Sequence, residues 1–284
     1  MTSPQLVSVV VSTFNRSDAL LAVLDGLTHQ NDKNFEVVVA DDGSRVEHVQ
    51  ALRMSTAAKQ LRVTHVWHPD IGFTLTRIRN RGVAASAGEY LVFLDGDCIP
   101  EVDFVGRHRA LAEAGCFISG SRVLLSETFS PRVISGVEKI VGRSVGFWIK
   151  HRILGHANKL SGLVRLPDWR GRLDTGTPWT RVRGCNMALW RSDFERVDGF
   201  DESFVGWGHE DADFVVRLHH AGVKRKNGFC STEVYHLWHT EAVRLQASQN
   251  AMTVQARIQT DITLPTLGYS QRRQDDDAVI TRLG

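Results

Sequence analysis

The chain has 284 residues, 42% of them hydrophobic and 23% charged, with a formal net charge of +2, all near the averages of soluble globular proteins. That composition excludes disordered and fibrous classes, and the length allows one large domain with a sizeable core or two small ones; one domain with additions is expected. No apolar run approaches the roughly 20 residues that cross a bilayer, and "MTSPQLVSVVV" lacks the basic start of a signal peptide, so a cytoplasmic protein is expected.

The first hundred residues alternate β-rich apolar runs with helix-like stretches. "LVSVVVSTF" (6–14) predicts a buried strand, "SDALLAVLDGLTHQ" (17–30) a helix capped by Ser17 or Asp18, and "FEVVVADDGS" (35–44) the next strand and its exit. A weaker helix follows, then "LRVTHVWH" (61–68) as a strand, "TLTRIRNRGVAASAG" (74–88) as a helix ended by Gly88, and "YLVFLDGD" as a further strand. Such alternation implies right-handed crossovers and an α/β fold, a mostly parallel sheet flanked by helices on both faces. Ligands bind beyond the carboxyl ends of such strands. Three strands end there in polar groups: Thr13, Asn15 and Arg16 after the first, Asp41 and Asp42 after the second, Asp95 and Asp97 after the last. Turn chemistry alone explains any one of these exits. Their recurrence at one edge predicts a shared crevice.

From 131 to 172, nine Lys/Arg face two acids, a local net charge of +7. Within this segment "VISGVEKIVGRSVGFWIK" (133–150) places Ile134, Val137, Val141 and Trp148 near helical spacing among Lys139, Arg143 and Lys150. The pattern fits a helix on anionic membrane or against a phosphorylated acceptor, or a plain amphipathic helix packed on the domain. Cys98, Cys116, Cys185 and Cys230 are scattered without a C-x-x-C pair, which reads as reduced, buried thiols. After about 240 comes a helix, "EAVRLQASQNAMTVQARI", and then "QRRQDDDAVITRLG", read as mobile.

"GFDESFVGWGHEDADFVVRLHHAG" (199–222) opens a helix with Glu210, Asp211 and Asp213 after a Gly-Trp-Gly turn. Acids at a helix start are favoured by the macrodipole in any case. Spacing separates them: Asp211 precedes Phe214, Val215 and Leu218 by three, four and seven residues and falls on the inward face, while Asp213 pairs with Arg217 at the surface. Burial beside Glu210 raises the expected proton affinity of Asp211 and suits a general base. Trp207, between two glycines, is placed to cover a sugar ring or to plug the core beneath its loop. "STEVYHLWHT" (231–240) reads as a last strand carrying His236 and His239, an N/O ligand set for Mn²⁺ or Mg²⁺ beside the paired aspartates.

In order and spacing, "VVVSTFNR", "VVVADDGS", "RIRNRGVAASAGEYLVFLDGDCIP" and "GCNMALWRSDFERVDGFDESFVGWGHEDAD" resemble the inverting family 2 glycosyltransferases of GT-A (Rossmann-like) fold. The later stretch is similar to the galactosyltransferase-type segment of chondroitin polymerases and β-1,4-galactosyltransferases. The basic insertion at 131–172 has no counterpart in the family pattern. The resemblance implies a single catalytic domain over 1–240, with a nucleotide-sugar half to about 115 and an acceptor half over 180–240. It also implies a nucleotide-sugar donor, with UDP-sugars favoured, and a glycan or glycolipid acceptor; no nucleic-acid partner is expected. Thr13, Asn15, Arg16, Asp41, Arg79 and Asp95 match donor contacts. Asp97, Asp95 and His236 match the metal site, with His239 as the alternative histidine. Trp207, Asn186 and Glu210 match sugar contacts; Asp211 matches the base, and Glu210 is placed with it as the catalytic pair. His209 departs from the pattern, standing where the galactosyltransferases have Gly or Trp.

The resemblance implies a metal-dependent inverting transfer of a sugar to a cell-surface glycan or lipopolysaccharide. A nucleotidyltransferase is the second reading, but "STFNRSDALL" lacks its Gly-rich basic loop. A non-catalytic sugar-binding module of the same fold is the third, and it would need no base.

Overall fold

The computed structural model describes residues 3–174, 176, 179, 182, 184–240, 247–272 and 277–283. The N-terminal alternation is as expected: β1 (Val7–Thr13), α1 (Ser17–Thr28), β2 (Phe35–Asp41), α2 (Val46–Met54), α3 (Thr56–Gln60), β3 (Val63–Trp67), α4 (Leu75–Ala84) and β4 (Tyr90–Asp95). There follow β5 (Cys98–Pro100), α5 (Phe104–Leu111), β6 (Cys116–Ser119), β7 (Arg122–Leu124), α6 (Ser130–Ile134), α7 (Val145–Ile153), β8 (Leu173–Asp174), β9 (Asn186–Trp190), α8 (Arg191–Arg196) and α9 (Glu210–His220). The last elements are β10 (Lys224–Asn227), β11 (Val234–His236), α10 (Ala247–Ile258), α11 (Tyr269–Arg272) and β12 (Val279–Arg282).

Among the described residues, nine strands form one sheet in the order β12-β3-β2-β1-β4-β9-β6-β10-β8. The strands β3, β2, β1 and β4 are mutually parallel. β9 runs antiparallel to both β4 and β6, so β6, and β10 parallel to it, point the same way as β4. Alternate side chains face opposite cores, as the period of two demands: Val9, Val11, Val37, Val39, Val92 and Leu94 on one side, Val10, Val38, Ala40, Leu91 and Phe93 on the other. Burial on both faces is why these strands read as unbroken apolar runs. The close approach of α4 depends on Gly82, where a Cβ would lie 2.9 Å from Val10 Cγ1.

Three expectations are corrected. Neither Ser17 nor Asp18 caps α1: Arg16 is the cap residue, and Ser17 Oγ lies 2.8 Å from His48 Nδ1 instead. The single helix over 133–150 is two short helices, because Gly136 and Gly142 adopt left-handed backbone (φ 74° and 68°), which glycine enters without steric cost. Trp148 of α7 is buried and stacks on Tyr235, ring centroids 4.2 Å apart, while Val137 lies exposed in the loop. The tail is not wholly mobile: β12 pairs antiparallel with β3 and closes that edge of the sheet. Of the expected C-terminal helix, 247–258 is helical and 241–246 lies outside the described residues. No described helix is long and apolar enough to cross a membrane. All four cysteines are buried and free.

Candidate active site

At the carboxyl edge, β4 releases the chain at Asp95. Gly96 donates its N–H to Ser12 O on β1 at 2.8 Å, and a Cβ there would also stand 2.8 Å from that oxygen, so only glycine lets the turn lie so close. Asp95 Oδ1 accepts from Arg79 Nη2 at 2.8 Å. Arg79, 1% exposed, also donates to Ser12 Oγ (3.1 Å) and Gly184 O (3.2 Å) and lies over the Phe200 ring. Burial pushes the Asp95 carboxyl up; Arg79 opposes this and Asp97 adds to it, and the net shift is upward.

Asp97 has different company. The antiparallel register of β5 and β11 sets His236 opposite Cys98, and Leu237 donates its N–H to Asp97 O at 2.9 Å. Asp97 Oδ2 is then 3.2 Å from His239 Nε2, and Oδ1 is 3.7 Å from His236 Nε2. One ligand atom each from Asp97, Cys98 and His236 lie within 4.8 Å of one another. Burial holds His236 below the usual imidazole range, against the pull of Asp97, and a neutral imidazole is the form that binds metal. Burial likewise pushes the Cys98 thiol well up, with a hydrogen bond to Cys185 adding to it. A protonated thiol is a poor ligand; the Asp97 carboxylate with the His236 and His239 imidazoles is an N/O set that could hold Mn²⁺. Asp95, expected among the metal ligands, pairs with Arg79 and lies outside that cluster.

The third group opens α9. Gly206, Gly208 and His209 all have left-handed backbone (φ 79°, 110° and 71°), and Trp207 between them is 38% exposed. His209 occupies a region that costs a non-glycine residue roughly 1 kcal/mol. Asp211 Oδ2 accepts from Gly184 N at 3.0 Å and Oδ1 from Ala212 N at 2.8 Å; Glu210 Oε2 accepts from Gly208 N at 3.1 Å. A raised proton affinity is found at Glu210. Burial, then the Asp211 carboxylate, push Glu210 up to about 7, with Arg79 opposing.

The inward acid of α9 is Asp213, not Asp211. Asp213 and Arg217 are both 0% exposed and pair at 2.9 Å, so the expected surface ion pair is a buried one. The reason is α10, whose Arg257 reaches both Asp213 and Asp201 and whose Val254 packs on Ala212 and Val216. On the donor side, Thr13, Asn15 and Arg16 are partly exposed at the end of β1. Asn15 is left-handed (φ 49°), and its Oδ1 accepts from Arg45 N. Asp41 and Asp42 turn inward instead of opening on the crevice: Asp41 is held by His65 (3.0 Å) and Ser44 N, Asp42 by His68 and Thr74. Asn186, expected to touch sugar, is 0% exposed. Its amide donates to Ser121 O and Thr232 O, and its Oδ1 meets His108 Nε2, so it ties the frame together.

Residues 8–140 match the family described as glycosyl transferase family 2, and residues 171–240 match one described as the N-terminal domain of galactosyltransferase. The first half of the chain is thus similar to glycosyl transferase family 2. It is 30% identical over 231 residues to validoxylamine A glucosyltransferase of Streptomyces hygroscopicus subsp. jinggangensis, covering 77% of this chain and 52% of that one. It is 28% identical to chondroitin synthase of Escherichia coli over 76% of this chain and 32% of that protein. The chain therefore spans about half the length of the first of these relatives and a third of the second. Among solved structures, the mannosyltransferase PcManGT from Pyrobaculum calidifontis, in complex with GDP-Man and Mn²⁺, is similar with a TM-score of 0.57 at 18% identity, over 90% of this chain and 64% of that one. S. aureus TarS gives a TM-score of 0.57 at 16% identity, over 94% and 41%. These likenesses show the fold, GT-A.

Sequence reasoning missed Gly184 and Asn250. Gly184 spends its carbonyl on Arg79 and its N–H on Asp211, joining the β4 exit to the start of α9; its only signal was a glycine heading "GCNMALW". Asn250 of α10 donates to Gly208 O at 2.9 Å and holds the Gly-Trp-Gly turn, with no signal in its own neighbourhood.

Proposed function

We propose that this chain is a metal-dependent inverting glycosyltransferase that moves a sugar, from a UDP-hexose or UDP-N-acetylhexosamine, to a hydroxyl of a glycan or glycolipid acceptor. The observation that carries the reading is the meeting at one sheet edge of three chemistries. They are the Asp95–Arg79 pair, the Asp97–His236–His239 donor set and the Glu210–Asp211 carboxylates. The similarly folded mannosyltransferase solved with GDP-Man and Mn²⁺ supports both a nucleotide sugar and a divalent ion.

Asp97, His236 and His239 would hold the ion, which when bound neutralises charge gathering on the departing diphosphate. Thr13, Asn15, Arg16 and Arg79 line the donor side, and Trp207 offers a flat, half-exposed face to a sugar ring. Asp211, fixed by two backbone N–H groups, accepts the proton of the acceptor hydroxyl as its oxygen bonds to the anomeric carbon and the bond to the diphosphate breaks. One in-line displacement inverts the anomeric configuration. A specific observation favours Glu210 as base instead: a carboxyl at about 7 is matched to proton transfer near neutral pH. Turnover by Asp211→Asn and Glu210→Gln separates the two.

Val145, Ile149 and Ile153 of α7 are exposed at four-residue spacing beside Arg143, Lys150 and Arg152. A bare aliphatic stripe rimmed by cations supports peripheral contact with anionic membrane.

The reading is tested by titrating UDP-, GDP- and dTDP-sugars into the protein with Mn²⁺ or Mg²⁺. Metal-dependent binding of one donor, lost in Asp97→Ala and kept in Asp211→Asn while turnover disappears, is the expected result. Failure of every donor with either metal refutes it.

A further inference from the structure

Beyond the carboxyl ends of β6 and β10, on the edge that carries Asp95, lies a cavity of about 380 Å³ walled by Arg122, Lys159, Arg225, Asn158, Ser121 and Phe229. β6 and β10 lie two and three strands from β4, and the charge of Arg122 is felt at Asp95 and His236, so the cavity runs outward along the edge from the border of the candidate metal site. Its charge is one-sided. Arg122 rests Nη1 on Cys185 Sγ at 3.8 Å, a weak neutral partner, and the Asp95 carboxylate beyond it, already paired with Arg79, adds to its hold on the proton. Lys159 Nζ donates to Ser121 Oγ at 2.6 Å and lies 5.3 Å from the centroid of the Phe229 ring. Arg225 Nη1 is 3.7 Å from Asp174, whose side chain is 42% exposed. The nearby Glu233 carboxylate accepts the N–H groups of Cys230 and Ser231 and is thereby committed to its own turn.

Three cations in a concave wall raise the local concentration of anions. The planar fork of an arginine matches the two oxygens of a carboxylate or phosphate. Phe229, 46% exposed, adds an apolar face beside them, the mixture of aromatic surface and few placed polar groups found in ligand pockets. We propose that this cavity is a subsite for the acidic group, carboxylate or phosphate, of an anionic glycan acceptor. The word acceptor rests on the glycosyltransferase reading above; the cavity's preference for acidic sugars does not.

The test is calorimetric titration of the full chain with matched probes. One pair is a uronate-containing hexasaccharide and the same hexasaccharide with its carboxyls reduced to hydroxymethyl groups; the other is a hexose 6-phosphate and the free hexose. At low salt, at least one acidic probe is expected to bind tenfold or more tightly than its neutral partner. Lys159→Gln and Arg122→Gln each cut that preference several-fold, and Lys159→Arg restores it. Which pair shows the preference identifies the acidic group. Equal binding within both pairs, or a preference untouched by both glutamine substitutions, overturns the proposal. Nucleotide-sugar titrations with Mn²⁺ on the same wild-type sample keep the two ideas apart: donor binding without acid preference removes the subsite alone, and no donor binding removes the reading beneath it.

Discussion

Replacing Glu210 by Gln removes a carboxyl that the fold keeps protonated well above its ordinary range. Burial and the neighbouring Asp211 hold Glu210 at about 7, against an ordinary value of 4.5. That difference, at about 1.4 kcal/mol per unit, amounts to about 3 kcal/mol. The sign follows from proton binding. Between pH 4.5 and about 7 the folded chain retains a proton that the unfolded chain has released, so this group's contribution is fully present below 4.5 and lost as pH rises through 7. Glutamine does not titrate, so the variant gains about 3 kcal/mol on the wild type between pH 4 and pH 9, or roughly 5–10 °C in Tm. Urea denaturation of both proteins at unit steps across that range measures it, and the subtraction cancels groups that titrate alike in the two. A stability difference flat with pH would refute the assignment of raised proton affinity to Glu210. With Glu210 as the base, turnover falls at least tenfold in the same variant; with Asp211 as the base, it falls less than tenfold.

Gly184→Ala would set a Cβ 3.2 Å from both Arg79 Nη1 and Asp211 Cβ; a stability loss of about 1–3 kcal/mol with a proportionally larger loss of turnover is expected, read by thermal melts and donor-dependent product formation. Asp213→Asn leaves Arg217 and Arg257 buried without their shared charge partner and costs about 3–5 kcal/mol. Asp18→Asn, at the exposed Arg16–Asp18 contact, costs under about 1 kcal/mol, and chemical denaturation of the two variants side by side checks the contrast. Asn250→Ala frees the Gly208 carbonyl that holds the Gly-Trp-Gly turn; acceptor KM rises several-fold while donor affinity, measured by titration with Mn²⁺, stays within twofold.

Much of the candidate site was legible because two signals agreed there. An apolar run such as Leu91–Leu94 cannot continue into Asp95 and Asp97 without leaving the core, so the acids had to sit at a strand exit. The parallel alternation then put that exit on the ligand-binding edge. The same logic misplaced Asp41, because a strand exit says where the backbone leaves and not which way a carboxylate turns; His65 on the neighbouring strand drew it inward. Asn186, set among the sugar contacts by the resemblance, is buried instead, and its amide finds Ser121, Thr232 and His108 from segments distant in the chain.

Helical spacing assigned the inward face of α9 from apolar neighbours alone, and that rule assumes one covered face. In the folded chain α10 covers another, so Asp213 is sealed against Arg217 and Arg257 while Asp211 remains at the crevice. The amino-acid order by itself determined the strands, their common direction and the edge where acids collect, since these follow from local periodicity and from burial on both sheet faces. The tertiary structure decided which acids face the crevice, which histidines meet Asp97 and how Gly184 joins Arg79 to Asp211. Those pairings join residues up to about 140 positions apart, and no local pattern encodes the partner that the fold brings to each one.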